Sequence, residues 1–183
     1  MPFPVNSCSG ALTLMKHLLE LLKWDHLRFS ALLNYLIGIV DGVEQDNEPD
    51  YAELIELITY LKPGLKGRHQ AEEQALWQTL LQYAGPRGQI VTELEAIHQS
   101  VIDSGEALEN DIRTAQEGSW LSPDRLRQLT DDFVRAFREQ MEIEEQSLFP
   151  LVESVIPDIE WCGDTTSVND RGKPLPSKID WQF

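Results

Sequence analysis

Apolar positions along the chain recur at intervals of three and four through four long segments, and no segment sustains the alternation of a half-buried strand. The first segment runs from Ala11 to Val40 and gives way to the turn-rich acidic stretch "DGVEQDNEPD". The second starts at Tyr51 and ends by "AGPRG" at 84–88, with Pro63 and Gly64 inside it. Proline removes a ladder donor and crowds the preceding turn, so a kink or break is predicted there. The third segment runs from Gln89 to Gln116 and closes at "EGSWL". The fourth opens with Ser122 as N-cap, Pro123 at the first helical position and Asp124 in the positive first turn, and continues to Val155 before Pro157 stops it. These elements predict an all-α fold, an up-down-up-down four-helix bundle over 11–156. The irregular C-terminal tail, 157–183, carries Trp161 and Trp181 and is expected to pack back on the bundle.

The pattern also repeats. At an offset of 72 residues Leu22 matches Leu94, His26 matches His98 and Leu36 matches Leu108. In the same register "HQAEEQALW" at 69–77 matches "MEIEEQSLF" at 141–149. Apolar matches between amphipathic hairpins carry little information. The paired histidines and the shared Glu-Glu-Gln-small-Leu-aromatic run carry more, and they divide the bundle into two related helical hairpins.

Composition narrows the function. A chain of 183 residues buries enough surface to fold without a metal prop, so a metal here would be functional. The formal net charge of −16 repels nucleic acid and anionic membrane and favours cations and basic partners. Cys8 and Cys162 are too few and too far apart for a disulfide framework or zinc knuckle, although a single bridge between them stays open. The N-terminal run lacks a basic n-region, and Lys16, His17, Glu20 and Lys23 interrupt the apolar positions that follow, so the expected location is the cytoplasm.

Chemistry enters through polar residues on apolar stripes. His26 shares a face with Leu22, Phe29 and Leu33, whereas His17 faces away from it. His69 and Glu73, four apart, stand about 6 Å from each other along the axis, on the face of Leu65, Leu76 and Leu80. His98 lines up with Leu94, Val101 and Gly105, and Glu145 with Val134, Phe137, Met141, Leu148 and Val152. An i,i+4 surface pair or a satisfied core histidine would explain any one of these. Together they give every predicted helix an inward ligand, and a carboxylate on a core stripe must be paired or coordinated. Nitrogen with carboxylate suits iron, manganese or zinc better than calcium or copper(I). The ferritin-like pattern needs Glu-x-x-His on two helices, and only Glu95-x-x-His98 has that form.

These residues resemble the hemerythrin-like, or HHE cation-binding, domain family: "DH" at 25–26, "HQAEEQALW" at 69–77, His98, and "EEQSLFP" at 144–150. The resemblance covers roughly 12–156 and implies a four-helix bundle holding a non-haem iron pair. It further implies His26, His69 and His98 as terminal ligands, with Glu73 and Glu145 bridging. Family roles include binding or sensing of dioxygen or nitric oxide, iron handling, and repair of nitrosylated iron centres.

One departure stands out. Met141 falls where the second half-site's histidine belongs, and Ile102 occupies another position where some members carry one. A thioether is a poor ligand for iron in such a site, so an asymmetric centre is expected, with two irons at high loading and one weak. Glu142, Gln140, water or nothing fills the gap, or Met141 simply occupies core volume. A binding or sensing module for a small diatomic ligand (O2 or NO) is the leading expectation. The alternatives are a redox enzyme acting on peroxide or nitrosylated iron, and a metal-poor interaction domain. No nucleophile set or phosphate loop is present, so no catalytic residue is assigned.

Overall fold

The computed structural model describes residues 9–43, 48–66, 68–83 and 85–155, and the tail and both cysteines lie outside this range. The regular structure among the described residues is all helical, with no strand. Helix α1 spans Ser9–Asp41, α2 Tyr51–Lys66, α3 Arg68–Tyr83, α4 Gln89–Gln116, α5 Pro123–Ile143 and α6 Phe149–Val155. A 3-10 turn, Gly85–Gly88, leads into α4, and a wide π turn, Glu144–Leu148, joins α5 to α6.

Local sequence explains most of these boundaries. Pro63 and Gly64 lie within α2, which runs to Lys66, and Gly67, between α2 and α3, lies outside the described residues. Ser122 caps α5 as its residue type demands, its hydroxyl accepting from the Arg125 N–H at 3.2 Å with Pro123 next in line. Asp50 does the same for α2, accepting from the Glu53 N–H at 3.1 Å.

The helices close a ring, α1 on α2, α2 on α4, α4 on α5 and α5 on α1, while α3 and α6 pack on each other. The α4–α5 seam is tight because Gly105 offers no side chain; a Cβ there would lie 3.0 Å from the fully buried Phe133 ring. Lys62 on α2 donates to Glu109 on α4 at 2.6 Å, and Arg113 donates to the same carboxylate through two nitrogens. Burial raises the Glu109 carboxyl, but the Lys62 and Arg113 hydrogen bonds outweigh it and hold the group below the usual carboxylate range.

Two apolar clusters fill the interior. The larger includes Phe29, Leu33, Leu36, Leu61, Val101, Phe133, Phe137 and Met141, and the smaller includes Leu22, Leu76, Trp77, Leu94, Leu148 and Phe149. Between them lies a buried layer that is not apolar at all.

Candidate metal centre

His26, His69, Glu73, His98, Gln140 and Glu144 are each at most 5% exposed, an unusual concentration of polar side chains in one interior. His26 comes from α1, His69 and Glu73 from α3, His98 from α4, Gln140 from α5, and Glu144 from the start of the π turn. The layer is clamped by rings: His26 stacks on Phe149 at 5.6 Å between centroids, Phe29 meets His69 edge-on at 5.2 Å, and Trp77 lies 5.0 Å from His98.

Within it, one ligand atom each from His26, His69, Glu73 and Glu144 lies within 4.8 Å of all the others. His69 Nε2 stands 2.8 Å from Glu73 Oε1, His26 Nε2 3.0 Å from Glu144 Oε2, and His98 Nε2 3.4 Å from Glu73 Oε2. These are ion-pair distances, yet His26 Nε2, both Glu73 oxygens, Glu144 Oε2 and both His98 nitrogens make no hydrogen bond of acceptable geometry. Buried polar atoms almost always find hydrogen-bond partners, and each orphan costs about 1–3 kcal/mol. Lone pairs that converge on a common point without bonding to one another are what a cation would satisfy, and two imidazoles with two carboxylates suit iron, manganese or zinc.

The outer ring nitrogens are oriented by carboxylates. His26 Nδ1 pairs with Glu145 Oε1 at 2.8 Å, and His69 Nδ1 with Asp25 Oδ2 at 3.3 Å. Such pairing fixes Nε2 as the inward, ligating atom. Electrostatics follow from crowding. Burial lowers the His69 pKa, but the Glu73 charge and the Asp25 hydrogen bond outweigh it and raise the ring to about 10. Burial, with Glu73 beside it, pushes Glu144 up to about 7, because two adjacent carboxylates resist ionising together. Burial would raise Glu73, yet the His69 charge holds it down, and burial depresses His98.

The structure thus brings His26, His69 and Glu73 together and sets His98 at the edge of the group. It does not bring Glu145 inward: that side chain is 48% exposed and touches the outer nitrogen of His26, while Glu144 takes the inner position. The π turn is the reason, since its extra residue per turn shifts which glutamate faces the core. Met141 is buried among Phe29, Val134 and Phe137 as core filling. Glu142 is exposed and accepts from Gln146 at 2.9 Å, and Gln140 is the neighbour that reaches the layer, donating to Glu144 Oε1 at 2.9 Å. Asp25 and Glu144, both unassigned from sequence, had a faint signal there in the Asp25-His26 and Glu144-Glu145 doublets.

An all-helical interior holding a His/Glu cluster of this kind defines a cation-binding helical domain. The chain matches the family model described as the hemerythrin HHE cation binding domain over residues 17–153, and it belongs to that family. No curated protein and no solved structure matches it significantly. No helix among the described residues is long and apolar enough to cross a membrane.

Proposed function

We propose that the chain binds iron in this layer as an asymmetric non-haem centre and uses it to bind or sense dioxygen or nitric oxide, or to hold iron for transfer. The observation that carries this reading is the enclosure of the ligand atoms by Phe29, Trp77, Leu76, Leu148 and Phe149, all no more than 6% exposed. A dry, apolar room admits a small neutral diatomic and disfavours water and anions, whose desolvation costs several kcal/mol by general transfer arguments. Iron would supply the ligand-binding and redox chemistry. The protein's part is to hold His26, His69, Glu73 and Glu144 at fixed spacing and to exclude solvent. The bundle is read as up-down-up-down.

The test is anaerobic reconstitution with iron(II), elemental analysis after desalting, and absorption spectra before and after dioxygen or nitric oxide. Retained iron with ligand-dependent visible bands, both lost in His69→Ala, is the expected result. Failure to retain iron, or equal retention in His69→Ala, would sink the reading.

A further inference from the structure

The two half-sites correspond better by burial than by one ungapped offset. At an offset of 71, His69 and Glu73 match Gln140 and Glu144, which are the buried pair of the second half-site at 1% and 0% exposure. After the π turn the offset becomes 72, and Leu76, Trp77 and Leu80 pair with the equally buried Leu148, Phe149 and Val152. The π turn at Glu144–Leu148 absorbs the single extra residue between the two registers. The residue at the second histidine's corner is therefore Gln140, and Met141 lies beside it in the core.

We infer that Gln140 makes the centre unequal: it ties Glu144 to one cation, held firmly by His26, His69, Glu73 and Glu144, and leaves the place beside His98 weak. This rests on the cation-binding reading above. Gln140 Nε2 donates to Glu144 Oε1 at 2.9 Å, which takes one lone pair of that oxygen, while Oε2 lies 3.0 Å from His26 Nε2. A carboxylate that bridges two cations through both its oxygens would have to share Oε1 with that hydrogen bond. The firm side also has its imidazoles oriented, His26 by Glu145 and His69 by Asp25, whereas neither nitrogen of His98 has a hydrogen bond. What remains beside His98 is one unoriented imidazole, the second Glu73 oxygen, and the buried, unpartnered carbonyl oxygen of Gln140. A neutral amide oxygen is a weaker donor to iron(II) or zinc than the imidazole it replaces. Gln140 is thus a positioning residue that sets the number of cations retained.

The experiment is anaerobic titration of the metal-free full chain with iron(II), and separately with zinc, followed by calorimetry and by elemental analysis after desalting. One equivalent retained per wild-type chain is expected, with any second lost on desalting. In His98→Ala the single equivalent should stay, and in Gln140→His a second should be retained, with circular dichroism confirming that both variants fold. Two equally firm equivalents in wild type, or loss of the only equivalent in His98→Ala, would overturn the inference while leaving cation binding intact. A Gln140→His chain that folds and still retains one equivalent would overturn the role given to Gln140. Retention of no cation by any of them would overturn both readings together.

Discussion

His69 and Glu73 of the first half-site lie four residues apart in regular helix, within α3. Between Phe137 and Phe149 the second half-site stays continuous and accommodates its surplus residue in a π turn that begins at Glu144. The irregularity abuts the carboxylate it delivers. Regular helix would have been cheaper in backbone hydrogen bonding, so the comparison teaches that the second half-site sets its ligand register by a local departure from the α-helix that the first does not need, placed where the chemistry is.

The most damaging way to test that comparison is to remove the residue both histidine-bearing sides share. Glu73 approaches His69 and His98 through different oxygens, so Glu73→Ala should lower cation retention by more than about 100-fold, exceeding the loss expected of an outer residue. Thermal melts with and without cation should then coincide, because ligand-linked stabilisation vanishes with affinity.

Inserting an alanine after Gln146, an exposed residue within the π turn, tests the second half-site alone. The turn already absorbs one surplus residue, and a second should rotate Glu144 by about 100° relative to Leu148 and Phe149. Helical circular dichroism should persist while cation affinity falls by at least about tenfold. Unchanged affinity would mean that the register between Glu144 and Leu148 has no part in delivering Glu144.

Smaller effects come from the outer carboxylates. Asp25→Ala and Glu145→Ala should each cost about 10–100-fold in cation affinity, read by competition with a chromophoric chelator. If Glu145 were itself a ligand, its removal would match Glu73→Ala instead.

The least effect on the centre belongs to Glu109, remote from both half-sites. Its carboxyl is held down by Lys62 and Arg113, so its stabilisation is present above the unfolded value of about 4.3 and is lost as pH falls through the depressed folded value. Glu109→Gln should cost about 1 kcal/mol in urea unfolding at pH 7, with the gap to wild type closing in acid and cation retention unchanged.

How legible was this from the sequence? The helices and the Ser122 cap follow from local chemistry that tertiary packing does not override. His26, His69, Glu73 and His98 were readable because each polar residue interrupts an otherwise apolar stripe. Glu144 was not. At 100° per residue, Glu144 and Glu145 straddle the stripe of Phe137, Met141, Leu148 and Val152 at roughly 50° to either side, so periodicity cannot choose between them. The ungapped 72-residue offset then chose Glu145, and with it Met141, because a π turn leaves no mark in composition. Asp25 was illegible for a different reason: it serves a histidine on another helix, a relation only packing creates.

Trp77 gives the molecule an optical property. Its indole is 5% exposed and lies 5.0 Å from the His98 ring, whereas Trp24 and Trp120 stand 65% and 75% exposed. Buried and wetted indoles emit at different wavelengths, so among the described tryptophans the blue edge of the fluorescence belongs to the ring beside the ligands. A paramagnetic or strongly absorbing ion arriving in that layer would darken this edge first, letting occupancy be followed in a cuvette without any label.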